Sequence, residues 1–334
     1  MLRIYKTMLY LAVLLLSPVY TLADDTTQSA ELTLSSWEVP WENTRPRDPA
    51  LDAKGNVWFC GQAGNYIARL DPSTGQFKRY TLSDNTHPHN LIVDKHDQIW
   101  YAGNKNAHIG RLNPASGEIK KYPMPDGKAE DPHTLVFDDS ENIWFTAQWS
   151  NTIGYLNTKT GDVSLYPVLT ERARPYGIRL NDSQPWIALL GTNKLATVKN
   201  GEVHEVIIPR PEARPRRVEI TDDGAIWYAD YAGGFVGRYD PDTDGFKEWP
   251  LPSDTRTAPY ATALDTEGRI WISDTGAIPN HLYGFDTRTH TFVNITKVPF
   301  GGHIRHTYVT KDTGHIWFGT DTGFIGKAVP GPAD

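Results

Sequence analysis

Seven tryptophans pace this chain. Trp58, Trp100, Trp144, Trp186, Trp227, Trp271 and Trp317 recur at intervals of 42, 44, 42, 41, 44 and 46 residues. Six near-equal intervals mean seven copies of one unit, and a period of roughly 40–50 residues is the length of a four-stranded propeller blade. One such unit cannot bury its apolar face alone, so the copies must stack. The expected fold is all-β: a seven-bladed β-propeller of four-stranded antiparallel blades.

The fullest copies run from Pro88 to Pro125 and from Pro132 to Val168. The first parses into strands Leu91–Asp94, Ile99–Ala102, Ile109–Asn113 and Ile119–Tyr122. Turn formers separate them, notably Lys95-His96-Asp97 and Pro114-Ala115-Ser116-Gly117. Short β-branched and aromatic runs bounded by Gly, Asn, Asp and Pro are the pattern of antiparallel strands. A third-strand anchor repeats as Ile67-Ala68-Arg69, Ile109-Gly110-Arg111 and Val236-Gly237-Arg238. Its small middle residue is expected to permit close packing between blades, and each tryptophan to fill the space between neighbouring sheets. The last copy runs out at Pro330 without a fourth strand. A spare strand lies at Leu32–Val39, whose ending Trp37-Glu38-Val39-Pro40 echoes Lys247-Glu248-Trp249-Pro250. A closing strand at about 31–39 should therefore complete the last blade and remove the open sheet edges.

Arg3 and Lys6 precede the apolar run Met8 to Val19, and Thr21-Leu22-Ala23 has the form of a cleavage site. Residues 1–23 read as a signal peptide. The run is short for a membrane span, so no stable membrane insertion is expected after cleavage. Residues 24–334 form one propeller domain, periplasmic or secreted. The single cysteine, Cys60, excludes an internal disulfide and reads as a core residue beside Trp58-Phe59. Net charge is −7, and removing the leader removes Arg3 and Lys6 and no acid. That surplus of acid argues against nonspecific nucleic-acid binding. Arg172, Arg174, Arg210, Arg214, Arg216 and Arg217 cluster locally; the cluster reads as a solvated loop face, and the alternative is a rim that attracts an anionic ligand.

First strands line the channel of a propeller. Counting back eleven residues from each tryptophan gives Arg47, His89, His133, Arg216, Tyr260 and His306, with Tyr176 displaced by one. A proline precedes most of them, at 46, 88, 132, 175, 215 and 259, fixing the local backbone. Scattered surface histidines would not fall on one repeat phase. The expectation is a ring of polar side chains at the channel mouth that takes a small molecule or cyclic peptide, joined by His303. The alternative is a hydrogen-bonded polar plug. Histidine serves as acid or base near neutral pH, and arginine can hold a carboxylate or oxyanion. Three residues after the tryptophans, Asp230 and Asp274 could give oxygens to Mg²⁺ or Ca²⁺.

The phrases Trp144-Phe145-Thr146, Ile109-Gly110-Arg111-Leu112 and Pro132-His133-Thr134-Leu135 resemble the streptogramin B lyase (virginiamycin B lyase) family of seven-bladed propellers. The resemblance covers about residues 32 to 328. It implies Mg²⁺-assisted β-elimination that opens a cyclic ester, with a Pro-His histidine as base or acid and a glutamate three residues after the same blade's tryptophan holding the metal. Carried over, it makes His89, His133 and His306 the candidate bases. Arg216 would neutralise the leaving carboxylate, Arg47, Tyr176, Tyr260 and His303 would contact substrate, and Asp230 and Asp274 would hold the ion. The metal position is Gly103 beside His89, Ala147 beside His133 and Thr320 beside His306, so base and acid never share a blade. Two other readings compete with the lyase: a non-catalytic ligand-binding, sensor or protein-interaction propeller, and a metal-dependent lactone hydrolase. The lyase reading needs a histidine nitrogen and clustered acid oxygens around one pocket.

Overall fold

The computed structural model describes residues 32–125 and 127–331. The expected leader lies outside the described residues. The described chain forms seven four-stranded antiparallel sheets. Six blades are consecutive in sequence. The seventh is assembled from both ends, in the order Thr33–Glu38, Phe324–Val329, Ile316–Thr320, Ile304–Val309. The closing strand pairs antiparallel with Phe324–Val329, Trp37 opposite Ile325. Trp37 stacks on Trp317 at 5.5 Å. That copies the stacking of second-strand on fourth-strand aromatics inside other blades: Trp58 on Tyr80, Trp100 on Tyr122 and Trp227 on Trp249, at 5.3–5.6 Å.

All seven repeat tryptophans stand on second strands. Most are buried between one sheet and the next. Trp58 and Ile67 of blade one pack with Leu91, Ile99, Tyr101 and Leu112 of blade two. Trp271 and Leu282 of blade six meet Ile304, Ile316 and Phe318 of blade seven. Apolar burial at these seams supplies the main stabilisation of the ring. The indole N–H is tied down as well: Trp58, Trp100 and Trp271 donate to Asp52, Asp94 and Asp265, six residues earlier, at 2.8–2.9 Å. The same aspartates cap the preceding turn, so one side chain fixes both the hairpin and the seam.

The small residue of the third strand has a different role from the one expected. It makes room within its own blade, not between blades. Gly110 lies opposite Tyr101, Gly154 opposite Phe145 and Gly237 opposite Tyr228. A Cβ on any of these glycines would fall within 2.2 Å of the facing ring.

Six of the seven innermost strands begin at the proline, as in Pro88–Val93, three residues before the expected start there, and the seventh begins at Ile304. A register shift follows in every blade, for example between Pro88 and Leu91 or Pro259 and Thr262. A bulge adds one residue to one strand and re-aims its side chains. Seven bulges at one level turn two successive residues per blade towards the axis.

Candidate functional site

Strand pairing defines the channel layers. Pro46, Pro88, Pro132, Pro175, Pro215 and Pro259 pair with the residue three after the blade's tryptophan, and in blade seven the residue paired in that way is Ile304, opposite Thr320. The layer after the proline is therefore Arg47, His89, His133, Tyr176, Arg216, Tyr260 and Arg305. The next layer is Asp48, Asn90, Thr134, Gly177, Arg217, Ala261 and His306. The expectation for blade seven was one residue out: Arg305 holds the outer position and His306 the inner. Turn length is the cause. Val93 pairs with Ile99, but Leu180 pairs with Pro185 and Val309 with Ile316. One hairpin is a residue shorter and the other a residue longer, so counting from the tryptophan slips. Counting from the pairing partner would have found Arg305.

The outer layer is continuous. Arg47 Nη1 lies 3.1 Å from His89 Nε2, so that nitrogen accepts and the imidazole carries its proton on Nδ1. The His89 and His133 rings are 3.7 Å apart, and His133 lies 4.2 Å from the Tyr176 ring. The Tyr176 and Tyr260 hydroxyls are 2.6 Å apart. Arg216 Nη2 donates to the Tyr260 hydroxyl at 2.7 Å, and Arg305 Nη1 approaches it at 3.4 Å. The Arg216 guanidinium sits among three rings, 3.6 Å from Tyr260, 4.4 Å from Tyr231 and 4.7 Å from Tyr176. Arg305 also forms a bidentate pair with Asp321, at 2.9 and 2.7 Å.

In the inner layer, Asp48 lies 3.5 Å from Arg47 and 3.8 Å from Arg217, and accepts from Asn90 at 2.8 Å. Arg217 is fully buried and makes only long contacts, 3.4 Å to Thr134 and 3.4 Å to the Arg305 carbonyl. Below this plug, towards the other end of the channel, lies a cavity of about 570 Å³. Leu91, Leu135, Ile220 and Leu264 line it, with the Arg179–Glu219 ion pair at its wall.

Electrostatics follow from this crowding. Burial pushes the His89 and His133 imidazoles well below the ordinary value, and Arg47 and Arg217 push the same way. Burial brings His306 down to about 3, against the pull of Asp48. Burial would raise the Tyr176 phenol, but Arg216, Arg47 and Arg217 outweigh it and bring it to about 7. All three histidines are neutral at physiological pH, and His89 and His133 are sealed by their neighbours.

Arg216 and Arg217 thus belong to the channel, not to a solvated loop face. Arg210 binds Asp230 and Glu248, and Arg174 lies over Trp149. His303 sits at the half-buried rim before Ile304–Val309, next to the Arg305–Asp321 pair, with its Nδ1 lacking a protein partner. Asp230 and Asp274 do not reach the histidines. Asp230 accepts from the backbone N–H of Arg214, Ala232 and Gly233 at 2.7–3.1 Å, and from the Arg210 guanidinium. Asp274 accepts from the N–H of Ala258 and Gly276 at 2.6 and 2.9 Å. Each carboxylate pins the loop that delivers its blade's first strand. Among the described residues no three His, Cys, Asp or Glu side chains converge as a metal-holding group. Asp230 and Asp274 already spend oxygens on backbone N–H groups, and Asp230 on Arg210 as well, so these two carboxylates fit poorly as ligands of a hard divalent ion.

These features define a closed seven-bladed propeller with an arginine-rich, tyrosine-lined channel mouth. The chain belongs to the virginiamycin B lyase family, whose sequence profile matches residues 26–198. Among solved structures, virginiamycin B lyase from Staphylococcus aureus superposes with a TM-score of 0.81 at 22% identity, covering 90% of this chain and 99% of that one. A catalytically inactive form of that enzyme with quinupristin gives 0.80 at 22%, with the same coverage. The extracellular domain of a putative hybrid two-component system from B. thetaiotaomicron gives 0.67 at 16%, covering 89% of this chain and 42% of that one. At such identities the superpositions speak for the fold. No protein of curated function matches the chain in sequence. Among the described residues no helix is long and apolar enough to cross a membrane.

Proposed function

We propose that this chain is an exported, ligand-binding member of the virginiamycin B lyase family, with the channel mouth as the site for a small molecule. The observation that carries this reading is that the expected metal acids, Asp230 and Asp274, do not reach the channel histidines, while the acids that do lie near a histidine, Asp48 and Asp321, are paired with arginines. Metal-assisted elimination needs a base and a metal-polarised carbonyl at one point. Here His89 and His133 are sealed and held neutral beside arginines, and Asp230 and Asp274 are committed to backbone N–H groups. Lactone hydrolysis at a metal meets the same obstacle. Arg216, Arg305 and the rim residue Arg45, in contrast, are partly open to solvent. Export rests on the leader expected at residues 1–23.

Family membership favours one second reading, ring opening of a cyclic depsipeptide. Mass spectrometry separates the two. A streptogramin B such as quinupristin, incubated with the purified chain and Mg²⁺, is expected to remain intact. A ring-opened product of unchanged mass that disappears in His133→Ala would replace binding with elimination. A product heavier by one water would indicate hydrolysis.

A further inference from the structure

The charges around the channel do not balance. Arg47, Arg216, Arg217 and Arg305 point into its two layers, and the carboxylates that answer them are Asp48 and Asp321. Arg45 adds another guanidinium at the rim, sharing Asp321. The histidines are neutral, Arg179 and Glu219 cancel each other, and Asp230 and Asp274 turn to backbone. Three guanidinium charges are left over, in a largely buried setting apart from Arg45 at the rim. Donors are left over with them: Arg47 Nη2, Arg216 Nε and Arg217 Nε lack hydrogen-bond partners, although Arg47 is only 4% exposed. Uncompensated buried charge and unpaired donors are costly to maintain. A purely structural plug would pair them. A site that receives its counter-charge from outside leaves them unpaired.

We propose that the channel mouth is a receptor for a small dianion, a dicarboxylate or a phosphate ester, gripped by Arg216 and Arg305 around the Tyr260 hydroxyl. The proposal rests on the ligand-binding reading and names its ligand class. Planar guanidinium forks suit both oxyanions. The tyrosine cage holds the Arg216 fork in place before a ligand arrives, which lowers the ordering cost of binding. The Tyr176 phenol, brought to about 7 by the same arginines, reports the surplus of positive charge.

The test is isothermal titration of the purified chain with succinate, inorganic phosphate and the neutral diamide succinamide at matched ionic strength. A dianion is expected to bind and succinamide not to bind. Arg216→Gln should weaken binding by about tenfold or more, and Arg288→Gln, on an exposed outer turn, should leave it unchanged. Equal binding of succinamide, or loss on Arg288→Gln alone, overturns the dianion and leaves the binding reading standing. If none of the three binds but a thermal-shift panel of other small molecules yields a ligand lost in Arg216→Gln, the dianion again falls alone. No ligand in either assay overturns both. Should Arg216→Gln fail to fold, the wild-type chain still decides. A bound dianion must raise the pH at which its most acidic tyrosine gains tyrosinate absorbance, and an unmoved titration refutes the proposal.

Discussion

The seams between blades and the channel they surround are built from the same repeat under opposite rules. At the seams one solution recurs: a second-strand tryptophan, in most blades an aromatic stacked on it from the fourth strand, and an apolar first strand from the neighbour. In the channel the outer layer mixes arginine, histidine and tyrosine from blade to blade, and the inner layer, from Asp48 and Asn90 to Arg217 and His306, differs in every blade. The seams satisfy nearly every group they bury. The channel leaves nitrogen atoms of arginines and histidines without protein partners. Repetition marks what holds the ring together, and departure from repetition marks what the ring is for.

The sharpest way to break this contrast is to open the ring. Deleting residues 32–39 removes the strand opposite Phe324–Val329 and the stack of Trp37 on Trp317. Closure joins all seven seams, so cooperative unfolding of the whole domain should be lost, not one blade alone. Circular dichroism melting and limited proteolysis would show it. A shortened chain that melts cooperatively near the wild-type temperature would show that closure contributes little.

Acid should act on the channel before the seams. His89, His133 and His306 are neutral in the folded chain, with proton affinities held below the ordinary value, to about 3 for His306. The unfolded chain binds their protons near pH 6.5, so stability is full above that value and falls as pH drops towards the folded values. Each contributes about 1.4 kcal/mol per pH unit once the unfolded histidines are protonated. Denaturant melts at pH 7 and pH 5 should differ by several such steps. His133→Gln should flatten the profile, and a profile flat between pH 7 and 5 would contradict the buried neutral histidines. A single seam truncation should cost less than that combined loss. Trp100→Ala opens a cavity between blades two and three and should destabilise by about 3–5 kcal/mol in urea titration, with ligand binding at the mouth preserved.

Much of this contrast could be read before the structure. The tryptophan period sets blade number, strand content and the Leu32–Val39 closure, because seams must match neighbours on both sides. The channel was legible only in outline. Arg47, His89, His133, Arg216 and Tyr260 fall on one phase, with Tyr176 one residue off it, but Arg305 and Arg217 escaped the count. Hairpins of unequal length shift the phase without disturbing the pairing. Nor does a sequence say that Asp230 and Asp274 spend their oxygens on Arg214 and Ala258, since an aspartate capping a loop and one holding a metal look alike until the backbone is placed. The third-strand glycines were legible as a repeat, but their opponent ring, one position after each tryptophan, emerged only from the cross-strand register.

The smallest expected effect discriminates most between the two regions. Arg217 is fully buried, its hydrogen bonds are long, and burial holds its proton affinity below the ordinary arginine value. Asp48 is shared by Arg47 and Arg217, so Arg217 is a surplus buried charge, and removing an uncompensated buried charge relieves its desolvation cost. Arg217→Met should therefore leave stability unchanged or raise it by about 1 kcal/mol. The Asp48 carboxylate keeps Arg47 at 3.5 Å and the Asn90 amide at 2.8 Å, so the change does not strand it. A truncation of any buried seam residue goes the other way. If Arg217→Met instead costs as much as Trp100→Ala, the inner layer is a structural plug like the seams, and the distinction between a holding region and a receiving region fails at that level of the channel.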